Sequence, residues 1–156
     1  DIDADWTKKN GERHFGYKDH VKCDADSKLI TNYSVTSASV HDSQRCLVFI
    51  GQEDEVLYAD SAYSGKPIAL ALPENCKNQI CEKGYRNSPL TSEQKMNNRR
   101  KSRIRCRIEQ IFGFMTGDMH GITIRSIGIT RAWMNIGITN LVYNFCRYSY
   151  LKRASA

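Results

Sequence analysis

A chain of 156 residues, 40% apolar and 26% charged, has the balance of one globular domain of ordinary size that can bury a core. Its 23 Lys and Arg against 17 Asp and Glu leave a net charge of +6, which suits a polyanionic partner without identifying one. No apolar run approaches the roughly 18 residues needed to cross a bilayer, since even the run at 69–72 closes at Pro73, so a soluble protein with no membrane partner is expected.

The chain opens on Asp1 rather than Met and shows no charged start followed by an apolar core and cleavage site, so it reads as a piece of a longer protein. Six cysteines would suit a disulfide framework in a short secreted chain, but nothing else points to secretion. No pair has the two-residue gap of a zinc knuckle, and Cys76 with Cys81 lacks a second pair at finger spacing. Buried or half-buried free thiols in a reducing cytoplasm are expected.

In chain order, residues 14–24 alternate: Phe15, Tyr17, Asp19, Val21 and Cys23 on one face, with Gly16, Lys18, His20, Lys22 and Asp24 on the other. After the turn-forming run Asp24, Ala25, Asp26, Ser27 and Lys28, residues 29–36 place Leu29, Thr31, Tyr33 and Val35 together, which predicts an antiparallel hairpin. His41, Asp42 and Ser43 offer caps for a short helix through Leu47 and Phe49, ended at Gly51. Residues 55–59 read as a central strand buried on both faces with Asp60 at its tip. Gly65 and Pro67 open a brief helix over 68–72, and 78–82 suits a further strand.

Thr91 with Gln94 three residues later forms a capping-box pattern, so one long helix should start there. Ile104, Ile108, Ile111, Phe112 and Met115 give it an apolar stripe, surrounded by Arg99, Arg100, Lys101, Arg103, Arg105 and Arg107. Beyond Gly117 and Gly121, a last helix over 130–152 shows Trp133, Ile136, Asn140, Leu141, Phe145 and Tyr148 at helical spacing.

Three blocks carry a resemblance. W-T-K-K-N-G, F-G-Y-K-D-H and V-T-S-A-S-V-H-D-S follow one another, then L-Y-A-D-S-A-Y-S-G, then R-I-R-C-R-I-E-Q-I-F-G. Together they resemble DDE-type insertion-sequence transposases over residues 3–113. The resemblance implies an α/β domain of the ribonuclease H-like kind, a mixed sheet with flanking helices and missing its first strand, in which residues 1–156 are a single domain making up most of the catalytic domain. It implies that Asp60 and Glu109 are the second and third acids of a DDE triad and the ligands of Mg2+, with Mn2+ as a substitute. Two such ions would stabilise charge on both oxygens of a phosphodiester transfer. The implied activity is metal-dependent DNA cleavage and strand transfer of an insertion sequence, a transposable element. The implied partners are double-stranded DNA, at the element's ends and target, and further copies of the chain in a homo-oligomer; the location is the bacterial cytoplasm at the nucleoid.

In that setting Arg99, Arg100, Arg103, Arg105 and Arg107 read as phosphate contacts, as do Lys8 and Lys9 beside a stacking Trp6. Arg105, one turn before Glu109, can reach that carboxylate or a phosphate. The family's first Asp lies upstream of the W-x-x-K-x-G block and is not carried over. Asp1, Asp3 and Asp5 fall in what reads as a loop after the missing strand, and the chain by itself is expected to be inactive. The family's Tyr and Lys near the third acid are replaced by Ser102 and Thr116. Bland readings stand beside these: Asp60 as a loop opener, Glu109 as a solvated partner of Arg105, Asp42 as a helix cap, and His14, His20 and His120 as hairpin or surface residues. The competing functions are a truncated, inactive transposase remnant that binds DNA or an intact relative, and a nuclease on the same fold.

Overall fold

The computed structural model describes residues 1–9, 11–121 and 123–155. They gather into two compact units, one of Asp1–Asp42 with Gln110–Ala156, the other of Ser43–Glu109.

In the first unit, β1 (Asp5–Lys9), β2 (Glu12–Cys23) and β3 (Ile30–Ser37) form an antiparallel sheet in that order. The β2–β3 hairpin was expected from the alternation, and its pairing runs from Tyr17↔Ser37 to Cys23↔Ile30 with a bulge at Lys22/Cys23. Asp24 builds the turn, its Oδ2 accepting from the backbone of Asp26 and Ser27. Val35 packs on Ala132 and Ile136 of the last helix, α5 (Ile129–Ala154). Ile30 packs with Tyr143 of α5 and with Ile111 and Met115 of α4 (Arg107–Gly117).

Asn144 reaches from α5 to bracket Ile30, accepting from its N–H and donating to its carbonyl at 2.8 Å each. The N-terminus of α5 is held from the start of the chain: Asp1 accepts from Gly128 N–H at 3.1 Å and Asp3 from Ile129 N–H at 3.0 Å. Both carboxylates thus satisfy free amides at the positive end of the helix dipole.

In the second unit, α1 (Ser43–Phe49), β4 (Val56–Leu57), a 3-10 turn (Ser61–Tyr63), α2 (Lys66–Ala71), β5 (Lys77–Asn78) and α3 (Ser92–Arg105) follow in order. β4 and β5 pair in parallel, and backbone bonds from Lys77 to Glu55, Gln79 to Leu57 and Cys81 to Ala59 extend the ladder on both sides. Cys46, Ile68 and Ile80 form its core with Leu57, Ala59 and Tyr63 against them. Thr91 and Gln94 make both bonds of the expected capping box.

Four expectations need correction. Asp5, expected in a loop, opens a strand, β1, which also carries Trp6, Lys8 and Lys9; it is exposed almost throughout and so lacks a burial alternation to reveal it. The single long helix is two, because Cys106 sits at φ −62°, ψ −8° and ends α3 before α4 begins. β4 is half-buried and pairs with β5 alone among the described residues, where a strand buried on both faces was expected. On α5 the inward residues are Ala132, Ile136, Asn140 and Tyr143, whereas Trp133, Leu141, Phe145 and Tyr148 of the expected stripe are at least 40% exposed. The cap expected of Ser43 lies outside the described side chains. No helix of the described residues is long and apolar enough to cross a membrane. No disulfide joins the cysteines among the described residues, and Cys146 is exposed.

Candidate metal centre and DNA-contact residues

Asp60 follows the last ladder bond, at Ala59, and has extended backbone angles that turn the chain into the 3-10 segment. One carboxylate oxygen, Oδ1, accepts from Ser61 N–H, which fixes the side chain, and the other faces Arg105. Arg105 is held in turn by the anchoring of α3. Asn98 accepts from Glu82 N–H at 2.8 Å and donates to its carbonyl at 2.9 Å, and Lys101 Nζ donates to the carbonyl of Ile80 at 2.9 Å. An Asn inside a helix is a weak helix former, and that weakness was the one sign in the sequence that Asn98 does other work.

Arg105 Nη1 lies 3.0 Å from Glu109 Oε1 and 4.0 Å from Asp60 Oδ2. The break at Cys106 therefore preserves the one-turn spacing between Arg105 and Glu109. A single guanidinium nitrogen touches both acids, so the two carboxylates cannot be further apart than those two distances combined. Their side chains are 54% and 63% exposed, which leaves them open to an ion or a phosphate from solvent. Both acids offer hard oxygen donors, the ligand type that Mg2+ prefers. Among the described residues, no group of three or more His, Cys, Asp or Glu is arranged to hold a metal.

The residues expected to meet DNA divide. Arg99, Arg100 and Arg103 are exposed along α3, and Arg100 lines a groove with Tyr58, Asn78, Gln79, Asn97, Lys101 and Ile104. Arg105 and Arg107 are half-buried, and Arg105 is occupied by the two acids. Lys8 and Lys9 are exposed on β1 and, as consecutive strand residues, point to opposite faces.

Two of the sequence blocks also meet within the first unit. Asp42 Oδ1 lies 3.5 Å from Lys18 Nζ and 3.6 Å from His20 Nδ1, while His20 Nε2 is 2.8 Å from Thr36 Oγ1. Lys18 also donates to the carbonyl of Val40 at 2.9 Å. The buried His20 and the carboxylate of Asp42, read as a cap, thus tie the segment after β3 back onto β2.

Compared with known families, residues 2–145 match the transposase DDE domain. The chain belongs to that family. It is similar to the transposase for insertion sequence element IS1106 of Neisseria meningitidis serogroup B, 34% identical over 116 residues that cover 72% of this chain and 40% of that protein. The DDE-domain chain thus spans about two-fifths of this relative's length. No solved structure matches it.

Proposed function

We propose that this DDE domain works in metal-dependent cleavage and strand transfer of insertion-sequence DNA, with Asp60 and Glu109 as catalytic acids and metal ligands on a ribonuclease H-like fold. The observation that carries the reading is the convergence of both carboxylates on the Arg105 guanidinium. Mg2+, with Mn2+ able to replace it, would stabilise charge on the attacking and leaving oxygens. Asp60 contributes a carboxylate whose rotamer is pinned by Ser61 N–H, and Glu109 one carried on the first turn of α4. Arg105 neutralises the acid pair while no metal is there and has a guanidinium suited to a DNA phosphate. Water serves as nucleophile for cleavage and the freed 3′-hydroxyl for transfer. Double-stranded DNA is the partner, with Arg99, Arg100 and Arg103 as exposed phosphate contacts, and the setting is the bacterial cytoplasm at the nucleoid.

Self-association is part of the proposal. Met134, Ile138, Leu141, Phe145 and Tyr148 of α5 are all more than half exposed and recur at alternating steps of four and three, the seam of paired helices. An antiparallel pair centred on Leu141 sets Ile138 against Phe145 and Met134 against Tyr148, so the stripe complements itself under a two-fold axis.

The test is an assay on end-labelled insertion-sequence DNA in Mg2+, using this chain and a version extended upstream through the family's first Asp. The extended chain should cut and join, and Asp60→Asn or Glu109→Gln should each abolish both steps. Full activity in either variant would end the assignment, and activity in neither length would favour the inactive remnant.

A further inference from the structure

The register of the β1–β2 ribbon sorts its side chains. Trp6 stands opposite Phe15 and Lys8 opposite Arg13, so these four share one face; Thr7, Lys9, Glu12 and His14 share the other. The second face is charge-balanced, with Glu12 across from Lys9 and 3.9 Å from His14. The first is not. Lys8 and Arg13 are both exposed, directly across from each other, and neither forms a salt bridge among the described residues. Like charges opposite one another destabilise a strand pair, so the ribbon carries a cost that an anion between them would offset.

Beside the two cations, Trp6 and Phe15 stay 60% and 51% exposed, with ring centroids 5.2 Å apart and planes inclined at 53°. Their contact helps hold the ribbon, but it leaves ring surface in water next to a doubly positive patch. Cations for phosphates and aromatic faces for bases are the combination that holds a nucleic-acid strand whose bases are unstacked. A protein partner would not need the paired cations, and a closed duplex would not use the rings.

We infer that the Trp6, Lys8, Arg13 and Phe15 face binds a DNA strand with unpaired bases, Lys8 and Arg13 holding phosphates and Trp6 stacking on a base. Lys9, on the opposite face, takes no part. The inference rests on DNA as the partner proposed above and adds which form of DNA meets which face.

The chain has two tryptophans, so a Trp133→Phe background leaves Trp6 as the single indole. This protein is titrated with a forked DNA bearing a single-stranded arm and with a blunt duplex of equal length. Trp6 emission should be quenched by the fork and not by the duplex. Lys8→Ala and Arg13→Ala should each reduce the slope of log affinity against log salt for the fork by about 0.7–0.9, whereas Lys9→Ala should leave it unchanged. Trp6→Ala should weaken fork binding by roughly tenfold or more, and Trp6→Phe, which keeps a ring and the ribbon, should recover much of that. Fork binding with unperturbed Trp6 emission and unaltered slopes would overturn the inference while leaving DNA as the partner. A Lys9→Ala loss equal to that of Lys8→Ala would overturn the facial assignment. Failure to bind either DNA would remove the DNA reading itself and this inference with it.

Discussion

Replacing Asp19 by Asn should stabilise the protein at neutral pH and do almost nothing in acid. Asp19 lies on β2 opposite Val35 and meets Asn140 of α5, whose Nδ2 donates to Oδ1 at 3.3 Å. Asp19 Oδ2 and Asn140 Oδ1 are sealed from solvent, and neither has a donor among the described residues. Burial pushes the Asp19 carboxyl from 3.8 up to about 6, and the bond from Asn140 offsets only part of this. At 1.36 kcal/mol per unit, a carboxylate ionised here costs roughly 3 kcal/mol, as an order of magnitude. The fold prefers the protonated form, so stability from this group is complete below about pH 4 and is lost as pH rises through 6. The amide of the Asp19→Asn variant would stay neutral throughout and replace the unpartnered Asp19 Oδ2 by an N–H beside Asn140, whose Oδ1 lacks a donor. Urea unfolding of both proteins from pH 4 to 8 should show coincident midpoints in acid and, at pH 8, a midpoint about 1–3 M higher for the variant, for a slope of 1–3 kcal/mol per M. A gap that does not grow with pH, or a less stable variant at pH 8, would refute the reasoning.

Asn144→Ala strips both partners from the backbone of Ile30 and should cost about 2–3 kcal/mol, read as a fall in the urea midpoint with the slope unchanged. Thr91→Ala removes the hydroxyl that accepts from Gln94 N–H and should cost about 1 kcal/mol of thermal stability. The triple change of Arg99, Arg100 and Arg103 to Ala should flatten the salt dependence of duplex binding by about two to three units of slope; an unchanged slope would put the duplex contact elsewhere. Arg105→Gln removes the cation that competes for both acids and should tighten Mn2+ binding by about tenfold, counted from the electron paramagnetic resonance of the free ion. Weaker Mn2+ binding would mean that Arg105 helps to hold the metal site together.

What could be read from the residues alone followed from local rules. The β2–β3 alternation, the turn at Asp24 and the Thr91/Gln94 box each rest on interactions between near neighbours, and all three are present in the fold. The meeting of Arg105 with Glu109 was likewise readable as one helical turn, whereas its reach to Asp60 depends on how α3 packs and was not. β1 escaped because a ribbon exposed on both faces shows no hydrophobic period. Asp1 and Asp3 cap a helix more than a hundred residues away, a contact that no window along the chain contains. No Gly or Pro marks the break at Cys106. On α5 the apolar residues supply two stripes on opposite sides, and spacing alone could not say which one meets the sheet.

The central claim, that Asp60 and Glu109 share a divalent cation, is tested most directly by crystals of the chain grown in Mn2+ and measured for its anomalous scattering. The account predicts a peak within about 2.0–2.3 Å of a carboxylate oxygen from each residue, with the Arg105 guanidinium moved away from them. A peak on other carboxylates, with Asp60 and Glu109 still gathered around Arg105 at saturating Mn2+, would contradict it.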